Sequence, residues 1–368
     1  MAVTSEVEKR GIGVSKSVGT NGAPDAARGQ VERDRLRMMM LIRRFEERTA
    51  REYQTPRELP DGTKEQKIGG FCHLYNGQEA IAVGIAAIFD KTRDALVNGY
   101  RCHGHSLALG MSPRAAIAEL YGRETGASKG KGGSMHLFDA AVGNHGGHGI
   151  VGGHIPLGLG MAFAQQYKQS GGVTYCLFGD GAVNQGTFHE SLNMAGLMKV
   201  PAIFIVENNG VAMGTQVERS SAEKDLAVRG GGYAMPHYHV DGNDVDTVII
   251  EMGKAMERAR RGDGPTYIVA DTWRHRGHSM SDPMKYRKNK TGEWLPEVEE
   301  WRKRDPISVY SHRLREKGLL NDKQAETIDE AVAEEVNEAF AQADADPNPP
   351  LEARFEDALA ETYPYQPK

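Results

Sequence analysis

The chain has 368 residues, 39% of them hydrophobic and 26% charged, with a net charge of -5. Such a chain can build a core and a solvated surface, which excludes collagen, coiled-coil arrays and wholesale disorder. The balance leaves no electrostatic footprint for nucleic acid, and no run approaches the roughly 20 apolar residues that span a membrane.

Residues 1–30 are rich in Gly, Ser, Ala and charge without a period, and read as a mobile tail. Glu6, Glu8 and Lys9 come early and no apolar segment follows, so no secretory signal is expected. Cys72, Cys102 and Cys176 form no CxxC pair, which fits a reducing compartment; the expected location is cytoplasmic. A first helix is predicted from Leu36, Met39 and Ile42, with Met40 and Phe45 nearby. YQTPRELPDGTKEQK reads as a surface loop, and GQEAIAVGIAAIFD as a buried helix.

The middle of the chain is clearer. VTYCLF (173–178) and PAIFIV (201–206) are strands, and NQGTFHESLNMAGLMK (184–199) between them is a helix. Apolar strands flanking a helix predict a βαβ unit in a parallel sheet covered on both faces. DVDTVIIEMGKAMERARR is a further helix, with Arg258, Arg260 and Arg261 at its C-terminus, and PTYIVADTW (265–273) a further strand. In the last helix Ile328, Val332, Val336 and Phe340 share a face, and Asn321 with Gln324 forms a capping box at its start. DADPNPP stops it. The expectation is an α/β fold with extra helices at both ends: one domain over 31–346, then an arm over 347–368.

The strongest chemical signal is GDG at 179–181 and ENN at 207–209. Each cluster ends a strand, and a helix with its returning strand fills residues 182–207 between them. Either alone is most often a turn. Two at consecutive strand ends sit where open α/β sheets bind ligands. Asp180 offers a carboxylate, Asn209 an amide oxygen and the following turn its carbonyls, a set that suits Mg²⁺ completed by phosphate oxygens. GASKGKGGS lacks the GK[ST] of a phosphate loop, and GLGMAF puts Phe163 where a dinucleotide fingerprint needs a small residue. His145, His148 and His154 lie in glycine-rich turns with no cysteine or carboxylate to complete a zinc set.

GDG, this spacer and then NN together resemble the thiamine diphosphate fingerprint. Across nearly the whole chain the sequence resembles the alpha subunit of two-subunit 2-oxo acid dehydrogenases, the pyruvate-specific branch fitting best. The segments that carry this are GFCHLYNGQEA (70–80), GYRCHGH (99–105), GKGGSMHLF (130–138), GHGIVGGHIPLGLG (147–160), GDGAVNQGTFHESLNMA (179–195) and RHRGHSMSDP (274–283).

The resemblance implies the diphosphate-binding half of a thiamine diphosphate fold and an oxidative decarboxylation that passes an acetyl group to a lipoyl arm. Branched-chain 2-oxo acid and acetoin enzymes are the alternatives within the family. It implies that Asp180, Asn209 and the carbonyl of Val211 bind Mg²⁺. Tyr100 and Arg101 would hold the diphosphate, helped by the backbone of Gly181 and Ala182. Gly149 and Val151 would contact the pyrimidine side, and His278 and His73 would lie near the reacting carbonyl. Taken alone, Arg101 is most often a surface charge, His278 and His73 structural histidines, and Tyr100 ordinary packing.

Departures from the family pattern are Val211 where many relatives have Tyr, and His154 in place of a common Gln. Ser279 aligns with the serine phosphorylated in animal relatives. In this family an acidic residue of the beta subunit activates the pyrimidine, and no segment here supplies that half. The implied assembly is a heterotetramer of two alpha and two beta chains serving a lipoyl-bearing dihydrolipoyl acyltransferase core.

Overall fold

The computed structural model describes residues 25–356. Residues 1–24 of the expected tail and the last part of the expected arm lie outside the described residues. Six strands form one parallel sheet: β1 (Ala95–Gly99), β2 (Asn144–His148), β3 (Thr174–Gly179), β4 (Ala202–Asn208), β5 (His237–Asp241) and β6 (Thr266–Asp271). Their spatial order is β2-β1-β3-β4-β6-β5. The predicted βαβ unit is present, with β3 and β4 in parallel register from Thr174 opposite Ala202 to Gly179 opposite Glu207.

The α-helices longer than four residues are α1 (Asp25–Gln54), α2 (Glu79–Ala86), α3 (His103–Ala108), α4 (Pro113–Leu120), α5 (Ile155–Lys168), α6 (Gly186–Met198), α7 (Val245–Arg260), α8 (Pro296–Lys303), α9 (Pro306–Glu316) and α10 (Asp322–Ala345). Strand alternation assigns the two faces of the sheet. Cys176, Phe178, Phe204 and Val206 pack with Leu159 of α5 and Leu192 of α6. Tyr175, Leu177, Ile203 and Ile205 point the other way, onto Ile81 of α2 and Val248 of α7. Both faces are covered, as an all-parallel sheet requires.

A third cluster joins the two ends of the chain. Leu36, Met39 and Phe45 of α1 meet Val332, Val336 and Phe340 of α10. Each such side chain, fully buried, contributes roughly 1.5–3 kcal/mol. The capping box is formed: Asn321 accepts from the Gln324 amide at 2.8 Å, and Gln324 accepts from the Asn321 amide at 2.9 Å.

Some elements differ from expectation. α1 starts at Asp25, inside the segment read as tail, and Tyr310 donates to Glu32 to tie its early turns to α9. The helix read over 184–199 starts at Gly186, because residues Asp180–Asn184 form a tighter turn first. The surface loop contains a short antiparallel hairpin, Arg57–Glu58 with Lys64–Glu65. The arm begins packed, since the Glu124 amide donates to the Pro347 carbonyl.

Candidate active site

Strand order places the site. The chain leaves β1, adds β2 on one side, and returns to lay β3 on the other, so β1 and β3 flank a topological switch point. A cavity opens there, lined by Gly99, Tyr100 and Arg101 after β1 and by Phe178, Gly179 and Asp180 after β3. The hairpin after β4 closes one wall with Val211, Ala212 and Met213. Gly210, at φ 78°, supplies the left-handed turn that brings Val211 back beside Asn209. Gly181 faces that hairpin so closely that a Cβ would lie 2.7 Å from the Ala212 methyl.

The two asparagines of ENN divide the work. Asn208 donates to Asp271 at 2.8 Å and accepts from the Gly210 amide, shaping the turn. Asn209 enters the cavity, where its Nδ2 donates to Gln78 Oε1 at 3.1 Å. That bond fixes the amide so that Oδ1 receives Arg274 Nη1 at 3.2 Å, and the same nitrogen reaches the Val211 carbonyl at 3.5 Å. Burial pushes the Asp180 carboxyl up to about 6, although Arg274 and Arg101 pull against it.

The loop after β6 forms the opposite wall. Arg274 Nη2 donates to the Tyr286 hydroxyl at 2.8 Å, which donates to Asp282 at 2.7 Å. Asp282 also accepts from the His278 amide at 2.6 Å. Arg101 holds the same loop from below, its fork donating to the carbonyls of Leu74 at 2.6 Å and His278 at 2.7 Å. Burial and the neighbouring Arg274 lower that guanidinium to about 10. The His278 ring lies edge-on to Tyr100 at 5.6 Å and to His73 at 5.2 Å. Burial drives His278 down to about 4 and His73 to about 2, with Arg101 adding to both. Both rings are neutral near pH 7.

Of the residues singled out in the sequence, Tyr100, Arg101, Val151, Asp180, Gly181, Ala182, Asn209, Val211 and His278 line this cavity. Gly149 lies between lining residues His148 and Ile150 without lining it, and His73 stands behind Tyr100 at 4.4 Å between ring centres. His154 is buried with its Nε2 2.7 Å from the Leu177 carbonyl, and His148 stacks on it at 5.9 Å. Among the described residues no group of three or more His, Cys, Asp or Glu is placed to hold a metal ion.

Gln78, Glu207 and Arg274 also line the cavity and carried no role in the sequence reading. Each lay inside or beside a quoted motif, YNGQEA, ENN and RHRGHSMSDP. Only the third dimension brings them to Asp180.

A family model described as "Dehydrogenase E1 component" matches residues 37–352. The chain belongs to the dehydrogenase E1 component family. Its members depend on thiamine diphosphate, and this chain is accordingly an enzyme of the E1 oxidoreductase type with the α/β fold described above. It is 46% identical over 324 residues to the pyruvate dehydrogenase E1 component subunit alpha of Rhizobium meliloti, covering 88% of each chain. It is 41% identical over 345 residues to the protein of that name from Zymomonas mobilis, covering 92% of this chain and 93% of the relative. The mitochondrial type II subunit alpha of Ascaris suum is 40% identical over 347 residues, covering 93% and 83%.

Proposed function

We propose that this chain is the alpha subunit of a pyruvate dehydrogenase. With a beta subunit it would decarboxylate pyruvate oxidatively, using thiamine diphosphate and Mg²⁺, and pass the acetyl group to the lipoyl group of an acyltransferase core. The observation that carries the reading is the cavity at the β1/β3 switch point, bordered by the Asp180 carboxylate, the Asn209 amide oxygen and the turn at Val211, the last two reached by Arg274. This oxygen set fits Mg²⁺. The site also fits a polar ligand, because Gln78 Nε2 and His278 Nδ1 are buried there without a partner among the described residues.

Asp180, Asn209 and the Val211 carbonyl would hold the metal, with Gln78 fixing the asparagine amide. Gly181 and Ala182 would present their amides to the diphosphate, and Tyr100 and Arg101 would flank it. Gly149 and Val151 would border the pyrimidine side. Thiamine diphosphate supplies, when bound, the electron sink that decarboxylation of a 2-oxo acid requires. Neutral His278 can donate or accept a proton at its ring nitrogen beside the substrate carbonyl, while His73 and Tyr100 back it and keep water out.

The cavity, at about 240 Å³, is smaller than the roughly 300–1,000 Å³ usual for a small-molecule site. Its mouth is apolar and open, with Ile150 77% and Met213 65% exposed. Both features support a site completed by another chain, the beta subunit of an α2β2 assembly. The free, buried cysteines support a cytoplasmic location, and no helix among the described residues is long and apolar enough to cross a membrane. The test is co-expression with the beta subunit and assay of CO₂ release from pyruvate against branched-chain 2-oxo acids, with ferricyanide as the electron acceptor. Pyruvate should be turned over at least about tenfold more efficiently; preference for another substrate would overturn the assignment.

A further inference from the structure

Residues 72–76 belong to no helix or strand, yet each of them has a backbone group in a hydrogen bond. The carbonyls meet the loop that carries His278. Cys72 accepts from the Met280 amide at 2.9 Å and Asn76 from the His275 amide at 2.9 Å, with Arg101 on the Leu74 carbonyl between them. The amides meet side chains instead: His73 donates to Ser134 Oγ at 3.3 Å, and Tyr75 to Glu46 Oε1 at 2.8 Å. His103 of α3 joins those two acceptors. Its Nδ1 lies 3.0 Å from both Glu46 oxygens, and its Nε2 2.8 Å from Ser134 Oγ. With its proton on Nδ1 the ring donates to Glu46 and accepts the Ser134 hydroxyl, which leaves a serine lone pair for the His73 amide.

Serine, histidine and a carboxylate in contact are also the parts of a nucleophilic triad. Here Ser134 is 2% exposed, His103 and Glu46 are fully buried, and none of the three lines the cavity, so the hydroxyl has no access to a substrate. The loop that brings Ser134 in is itself fixed. Glu119 of α4, fully buried, accepts the amides of Ser128, Gly130, Gly132 and Gly133 at 2.7 to 3.0 Å. The anion wrapped by GASKGKGGS is the chain's own carboxylate.

The His73 ring gains its place from this frame. Its Nδ1 is buried with no partner among the described residues, so backbone and packing alone hold it 4.4 Å from Tyr100 and 5.2 Å from His278 between ring centres. We infer that Ser134, held by His103 and Glu46, is a positioning residue for His73. The three side chains stand where a neighbouring strand would, and fix residues 72–76 against the His278 loop. The inference rests on the role given above to His73 and His278 in the site.

The experiment uses the full chain co-purified with its beta subunit, free of cofactor, and follows amide hydrogen exchange over residues 71–78 by mass spectrometry. In Ser134→Ala the His73 amide should exchange about fivefold faster, as loss of one net hydrogen bond predicts, while β3 and β4 keep their protection. Ser134→Cys, under reducing conditions, restores the volume but offers only a weak acceptor. It should free the amide as well, and it decides the matter if Ser134→Ala does not fold; protection regained in Ser134→Cys would overturn the inference. Pyruvate turnover with ferricyanide supplies a second readout. Ser134→Ala should lower kcat by about tenfold, and by nothing further in a His73→Ala background. A merely structural Ser134 would cost the same factor in both backgrounds. Unchanged exchange at His73, or additive losses, overturn the inference alone. A His73→Ala complex as active as the wild type overturns the role given to His73, and the inference with it.

Discussion

His278 is held by its backbone, with the amide on Asp282 and the carbonyl under Arg101, so its ring is left free toward the cavity. Burial lowers the ring to about 4, whereas an unfolded histidine titrates near 6.5. Between those values the unfolded chain binds the extra proton, so stability falls as pH drops from about 6.5 toward 4. Melting curves across that window should show a shallower fall for His278→Asn than for the wild type; equal slopes would contradict the buried, neutral ring. Asp180 presents the opposite conflict. Its carboxylate is unfavourable to bury, so Asp180→Asn should melt no lower than the wild type in the presence of EDTA, yet lose Mg²⁺–thiamine diphosphate affinity by about 100-fold or more. A variant that retains that affinity would remove Asp180 from the site. Asp180 and Asn209 were legible because each ends an apolar run, where polar residues have no packing reason to be. Gln78, Glu207 and Arg274 were not, because they act through partners 65 to 132 residues away along the chain.

At the scale of elements, patterning revealed those whose burial is one-sided or complete. β3 and β4 lie mid-sheet and α10 packs one stripe, so their periods survive in sequence. β2 reads NHGGH and β5 HYHVD, edge strands that bury a single side chain each, Asn144 and Val240, and offer no period. The start of α1 was hidden for a similar reason: its early turns are polar and are held by Tyr310 and by the Leu319 carbonyl that accepts from Arg33. Phe340→Ala should cost about 3–5 kcal/mol in denaturant unfolding, since that ring sits edge-on to Phe45 at 5.4 Å in the seam of α1 and α10. In α3, a Cβ at Gly104 would lie 2.2 Å from the Tyr75 ring. Gly104→Ala should therefore lower stability by about 1–3 kcal/mol and displace Tyr75 from Glu207. An unchanged melting temperature in that variant would mean the helix can shift, and would detach Tyr75 from the cavity's geometry.

At the scale of the molecule, several large apolar side chains are exposed on two neighbouring helices. Leu157, Phe163 and Tyr167 of α5 are exposed, as are Met194 and Leu197 of the adjacent α6, and this surface follows directly from Ile150 and Val151 at the cavity mouth. Patches of this kind mark association. If the proposed α2β2 assembly uses this surface, Leu197→Glu should leave the chain folded and shift the tetramer to smaller species in light scattering. Glycine, 44 of 368 residues, serves the cavity through close approach at Gly181 and a left-handed turn at Gly210. The most direct measurement is CO₂ release from pyruvate, with thiamine diphosphate, Mg²⁺ and ferricyanide as the electron acceptor, by the purified chain alone and after addition of the beta subunit. We expect no turnover from the chain alone and turnover on reconstitution; turnover by the chain alone would contradict a shared active site.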